Sequence, residues 1–165
     1  MNRYLLICII SVIVIALDQW TKWVTNTVFA IGDSVTIING FFDLVHVRNR
    51  GAAFGFLNNP DTTWQVTFFS IVSVVSSLVI LFIAKLARPK EYLLFTALGL
   101  ILGGALGNLI DRLLHGEVID FLDFYYNNWH FPAFNVADIA ICIGAFLAFI
   151  AMFKEDTVRR KKRDS

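Results

Sequence analysis

Four apolar stretches, roughly 4–24, 64–86, 92–114 and 134–153, constrain this chain more than any other feature. Each is long enough to cross a hydrocarbon layer about 30 Å thick, which takes about 20 residues of helix. Composition points the same way. Hydrophobic residues make up 57% and charged residues 16%, against roughly 45–50% and about 25% in a soluble domain. Mean hydropathy is +0.66. With 165 residues, the expected organisation is a single integral membrane domain over 1–165. The first stretch begins like a signal peptide, with Arg3 ahead of an apolar run. It continues into Asp18-Gln19-Trp20-Thr21-Lys22 instead of a small-x-small cleavage site, so it is expected to be a retained helix.

Lysine and arginine at the ends of the stretches set the expected orientation. Arg3 precedes the first. Lys85, Arg88 and Lys90 lie between the second and third, and a basic tail over 154–165 follows the fourth. The opposite side carries Arg48 and Arg50, with Lys22 and Arg112 at stretch ends. Both termini are therefore expected in the cytoplasm, with 25–63 and 115–133 outside. The tail reads as a topology anchor near anionic headgroups; a nucleic-acid partner is not expected.

This orientation sorts the acids. Asp18, Asp111, Asp120 and Asp138 fall at or near the outer ends, while Glu91, Glu155 and Asp156 sit at the cytoplasmic edge. Ionisable groups at the margin of a membrane span are costly and mark candidate sites. Two carboxylates brought close cannot both ionise comfortably, so they share a proton. One can then activate water while the other protonates a carbonyl. Asp120 and Asp138 are the candidates for that pair. Helix capping by an Asn135-x-x-Asp138 box and a solvated loop acid at Asp120 are the competing explanations. Asp18 and Lys22 form an i, i+4 pair, and Arg112 can grip a carboxylate or a lipid phosphate.

Other features are read more simply. Val35 to Ile38, Asn39-Gly40 and Phe41 to Val47 suggest a hairpin in the 25–63 loop. Gly99, Gly103 and Gly107 recur every fourth residue, which lets helices pack closely. Trp20, Trp23 and Trp64 suit the membrane interface. Cys8 and Cys142 are expected to be small buried hydrophobes. His46, His115 and His130 are expected at the interface or in loops, and the serines of the second stretch are expected to bond back to their own helix. A small proton-coupled transporter or channel subunit is the rival class of function. Its acids should form a relay through the bilayer depth, whereas these gather on one face.

Five blocks follow one another along the chain: Leu17-Asp18-Gln19-Trp20-Thr21-Lys22, Asn49-Arg50-Gly51-Ala52-Ala53-Phe54, Gly107-Asn108-Leu109-Ile110-Asp111-Arg112, Val118-Ile119-Asp120-Phe121 and Phe134-Asn135-Val136-Ala137-Asp138. In this order they resemble the signature of the bacterial lipoprotein signal peptidase (signal peptidase II) family. No catalytic position departs from the pattern, and Arg50 is the residue of its block expected to vary. The resemblance implies an aspartic endopeptidase of the bacterial cytoplasmic membrane, with its active site at the outer face. It would remove the signal peptide from diacylglyceryl-modified prolipoproteins, on the N-terminal side of the lipidated cysteine. Asp120 and Asp138 would be the catalytic pair. Asn49, Asn108, Arg112 and Asn135 would orient the substrate, while Asp18, Lys22 and Asp111 would stabilise the site. No metal or organic cofactor is implied. The implied fold is an all-α membrane protein of four transmembrane helices, with a small extracytoplasmic β-cradle and a short interfacial helix assigned to 113–131.

Overall fold

The structure is a computed structural model that describes residues 2–51 and 64–163, with side chains described through Lys154. The elements run α1 (Arg3–Val28), β1 (Ser34–Ile38), β2 (Phe42–Asn49), α2 (Trp64–Leu86), α3 (Tyr92–His115), β3 (Val118–Tyr126), β4 (Trp129–His130) and α4 (Val136–Arg163). All four helices contain a segment long and apolar enough to cross a membrane. Each lies where an apolar stretch was expected, though α1 extends to Val28 and α4 continues through much of the basic tail.

α3 is the packing centre. Of its membrane-crossing window 61% is buried, against 22% or less in the other three helices. The glycine stripe explains how. A Cβ on Gly103 would press on the Cβ of Val14 and the backbone of Ser11, so α1 lies directly against this face. Ser11 Oγ donates across the contact to Gly99 O at 2.9 Å. On the adjacent face, a Cβ on Gly104 would collide with the Ala137 carbonyl, so α4 is equally close. Close backbone approach of this kind replaces the hydrophobic drive that helices lack inside lipid.

At one end of the bundle Arg3 donates to the Ala84 and Ala87 carbonyls at the finish of α2. Carbonyls there have no intrahelical partner, and a cation suits the negative end of the helix dipole. Arg88, Lys90 and Lys154 line one cavity at this same end. Ser73 and Ser77 donate to Phe69 O and Ser73 O, one turn back on their own helix. Cys8 and Cys142 are exposed rather than buried. Cys8 lies on an outward face of α1, and Cys142 borders a cavity, so neither thiol is packed into the core.

The other end carries an antiparallel sheet in the order β1-β2-β3-β4. The expected hairpin is present, closed by a Phe41 N–H bond to Ile38 O at 3.0 Å, with Gly40 at φ 77°. That left-handed angle is one glycine adopts without steric cost. Phe42, Phe124 and Phe134 stack in series across the sheet at 4.7 and 5.8 Å between ring centroids. His46 is not a loop residue. It is 1% exposed in β2, with Nδ1 bonded to Phe29 O.

The 113–131 segment differs from expectation. After a left-handed turn at Gly116 it becomes β3 and β4, and the described residues contain no short interfacial helix. β2 supplies the reason, since an exposed strand edge from 42–49 captures 118–124 as its neighbour. Residues 52–63, including Ala52, Ala53 and Phe54 of the second signature block, lie outside the described residues.

Candidate active site

Three segments that are distant in sequence meet where α3, β3 and the start of α4 converge. Asn135 is the N-cap of α4 and forms a reciprocal capping box with Asp138. The Asn135 side chain accepts from Asp138 N–H at 3.0 Å, and Asp138 Oδ2 accepts from Asn135 N–H at 3.2 Å. Capping and site geometry are therefore not alternatives. The box that starts the helix also fixes where the Asp138 carboxylate sits.

Asparagine amides join the two aspartates. Asn135 Nδ2 donates to Asp120 Oδ1 at 2.7 Å, and Asn49 Nδ2 donates to Asp120 Oδ2 at 3.0 Å. Asn108 Nδ2 donates to Asp138 Oδ1 at 2.9 Å, while Asn108 Oδ1 accepts from Asn135 Nδ2 at 3.2 Å. Asp120 is 2% exposed. Its carboxyl is pushed up to about 7, by burial first and by the nearby Asp138 charge second; the Asn49 and Asn135 bonds pull the other way.

A second knot lies behind the pair. Lys22 is 2% exposed, and its Nζ is 2.9 Å from Asp18 Oδ2, 2.9 Å from Asp111 Oδ2 and 2.8 Å from Asn108 Oδ1. The same two carboxylates hold the backbone on either side. Asp18 Oδ1 accepts from Ala137 N–H at 2.9 Å, and Asp111 Oδ2 accepts from Ile119 N–H at 3.2 Å. Each bond grips the residue just before a candidate catalytic aspartate. A 1 Å displacement of such a group is enough to lose much of a rate enhancement, so the knot sets the register of the pair.

Asp120 and Asp138 both line a cavity of about 600 Å³ whose lining also includes Ile139, Ile141, Cys142 and Ile143. Arg112 lines it too, with its guanidinium over the Phe69 ring at 5.4 Å and Nη1 donating to Asn108 O. Among the described residues no group of three or more His, Cys, Asp or Glu is arranged to hold a metal ion.

A family model described as signal peptidase (SPase) II matches residues 10–154. The chain belongs to the signal peptidase II family. It is 49% identical to a lipoprotein signal peptidase of Nitratidesulfovibrio vulgaris (strain DP4), over 98% of both chains. It is 52% identical to one from Maridesulfovibrio salexigens, over 93% of this chain and 99% of that one. Among solved structures it resembles a bacterial membrane enzyme determined by the in meso method at 2.3 Å resolution. That match has a TM-score of 0.78 and 36% identity, and covers 91% of this chain and 88% of the other. As a signal peptidase II, the chain is a multi-pass membrane peptidase.

Of the site residues expected from the sequence of this signal peptidase II, Asp120, Asp138, Asn49, Asn108, Asn135, Asp18, Lys22 and Asp111 lie in these two connected knots, and Arg112 borders them on the Asn108 carbonyl. Gln19 was not among them. Its Nε2 donates to Asp111 Oδ1 at 2.9 Å and to Gly107 O at 3.2 Å, and it lies 3.2 Å from Asp18 Oδ2. It is a cross-brace between α1 and α3. The only hint in the sequence is its place between Asp18 and Lys22, because nothing local reveals which helix an amide will meet. Arg50, expected to vary, is paired through Nε with Glu117 Oε1 at 2.6 Å. That pair joins the end of β2 to the entry of β3.

Proposed function

We propose that this chain is an aspartic endopeptidase that removes the signal peptide from diacylglyceryl-modified prolipoproteins, cutting before the lipidated cysteine. The carrying observation is the Asp120–Asn135–Asn108–Asp138 hydrogen-bond network beside a cavity with an aliphatic wall. In this reading Asp120 holds the shared proton and Asp138 takes one from water. The water oxygen attacks the scissile carbonyl while Asp120 protonates the carbonyl oxygen. Collapse of the tetrahedral intermediate returns a proton to Asp120. Asp138 passes its proton to the departing amine, and the pair is reset. Arg112 is available to the substrate backbone or to the ester oxygens of the lipid, and the isoleucine wall accepts the apolar part of the substrate.

Orientation belongs to the same proposal. The end with Arg3, Lys85, Arg88, Lys90 and Lys154 is cytoplasmic by the excess of basic residues, and the paired aspartates then face outward. A cysteine carrying diacylglycerol presents its scissile bond at that depth. The deciding experiment offers purified protein a prolipoprotein with and without the diacylglyceryl group. Cleavage of the lipidated form alone is expected. Equal cleavage of both would remove the lipid from the substrate definition, and no cleavage of either would remove the activity.

The pH profile gives a second expectation. A general acid at Asp120 must be protonated, so kcat/KM should fall as pH rises through about 7, an apparent value that belongs to the pair. Asn49 donates to the ionised carboxylate and so favours charge. Asn49→Leu removes that bond, and the alkaline limb should move to higher pH. Rates measured across pH for both proteins test this, and a limb that stays put would show that Asn49 does not tune Asp120.

A further inference from the structure

On the sheet side of Asp120 lies a second cavity, of about 450 Å³, and it shares Asn49, Asp120, Phe131, Pro132 and Ala133 with the first. Its lining includes Asp123, Trp129 and His130. In a regular strand Asp120 and Asp123 would point to opposite faces. Here the N–H groups of both Phe121 and Leu122 donate to the single carbonyl of Phe134, at 3.1 and 2.9 Å. Two residues opposing one is the arrangement of a β-bulge, which re-aims the side chains that follow it. Asp123 is thereby brought round to the cavity that Asp120 borders.

The polar group in that cavity is held in place from several directions. His130 Nδ1 is 2.8 Å from Asp123 Oδ2. An ionised carboxylate only accepts, so Nδ1 carries the proton and Nε2 is left for another partner. No described residue bonds to Nε2. The Tyr125 ring stacks on the imidazole at 4.9 Å and 13°, and the Tyr125–His130 strand pair fixes its backbone. The imidazole is 54% exposed, so the ring can be reached from the cavity it lines. An oriented ring with a spare nitrogen, beside a cavity that opens from the reacting carboxyl, has the properties of a recognition group.

We propose that His130, positioned by Asp123, binds the peptide segment on the C-terminal side of the scissile bond, the first residues of the mature lipoprotein. The inference rests on the cleavage reading above. The aliphatic cavity takes the membrane-embedded side of the substrate, so the polypeptide leaving toward water must pass Asp120 into the sheet-side cavity. There Nε2 bonds to the backbone of the emerging chain. His130 is a positioning residue for that chain and is not part of the acid/base chemistry.

The test uses two synthetic substrates that are identical through the diacylglyceryl cysteine. One ends there as an amide and the other continues with a short stretch of further residues. One hydrogen bond contributes about 0.5–1.5 kcal/mol, so His130→Ala should lower kcat/KM on the longer substrate by up to about tenfold. On the truncated substrate it should change nothing, and activity there also reports that the variant is folded. Asp123→Asn should give a smaller loss with the same selectivity. His130→Gln, whose side-chain amide can bond near the position of Nε2, should recover part of the rate. Equal losses on both substrates would make the His130–Asp123 pair a structural clasp, and no loss on either would remove the subsite. If the wild-type protein cuts neither substrate, the cleavage reading fails and the subsite falls with it.

Discussion

Asp120→Asn and Asp138→Asn are each expected to reduce cleavage of the lipidated substrate by about a thousandfold or more, given that a positioned acid or base contributes about 10²–10⁴. Asparagine keeps the shape of the side chain and one acceptor oxygen, so most of the network survives. At Asp120 an amide oxygen can still accept from Asn135 Nδ2, the bond of 2.7 Å. At Asp138 it can still accept the Asn135 N–H and preserve the capping box. What neither variant can do is gain or lose a proton near neutral pH. The two single variants should also resemble the double variant, because residues acting as a unit are strongly non-additive. Initial rates with the purified proteins, alongside thermal unfolding to show comparable folding, decide the matter. Near-normal cleavage by either variant would overturn the acid/base assignment.

Lys22→Met should be strongly destabilising. Met matches the length of the side chain but leaves Asp18 and Asp111, both almost fully buried, facing each other without their shared cation. Breaking a buried ion pair by removing one partner costs about 3–5 kcal/mol, because an uncompensated charge remains. The expected readout is a large drop in thermal midpoint in detergent. Cleavage should fall with it, since the same carboxylates hold the backbone N–H groups of Ile119 and Ala137. Adding Asp111→Asn to Lys22→Met removes one stranded charge and should recover part of the loss. An unchanged midpoint for Lys22→Met alone would mean that water reaches the knot and screens it.

Much of this architecture could be read directly from residues. The four helices follow from apolar length, because a chain in hydrocarbon must satisfy its backbone within each segment. The hairpin follows from Asn39-Gly40 and its flanking apolar runs, and the start of α4 from the Asn135-x-x-Asp138 box. The glycine stripe correctly marked the face of α3 that meets α1, but it gave no warning of Gly104, which meets α4. A single helix sequence shows where small residues lie, not how many neighbours will use them.

Strand β3 was hidden for a physical reason. The bulge at Phe121 and Leu122 breaks the alternation by which a half-buried strand is recognised, so Asp120 and Asp123 fall out of phase. Its main partner, β2, is about seventy residues earlier in the chain. The individual acids were visible because charge at the margin of a membrane span is costly enough to stand out. Their assembly was not. Lys22 meets Asp111, Asn135 meets Asp120, and Gln19 braces two helices only once α1, α4 and β3 have closed around α3. Local chemistry therefore determined which groups are present and at which end of the bundle they emerge. Close packing on the glycine faces of α3, together with capture of β3 by β2, decided which of those groups touch. A hydrogen bond depends on positions to within a few tenths of an ångström, and only the packed tertiary structure defines positions that finely.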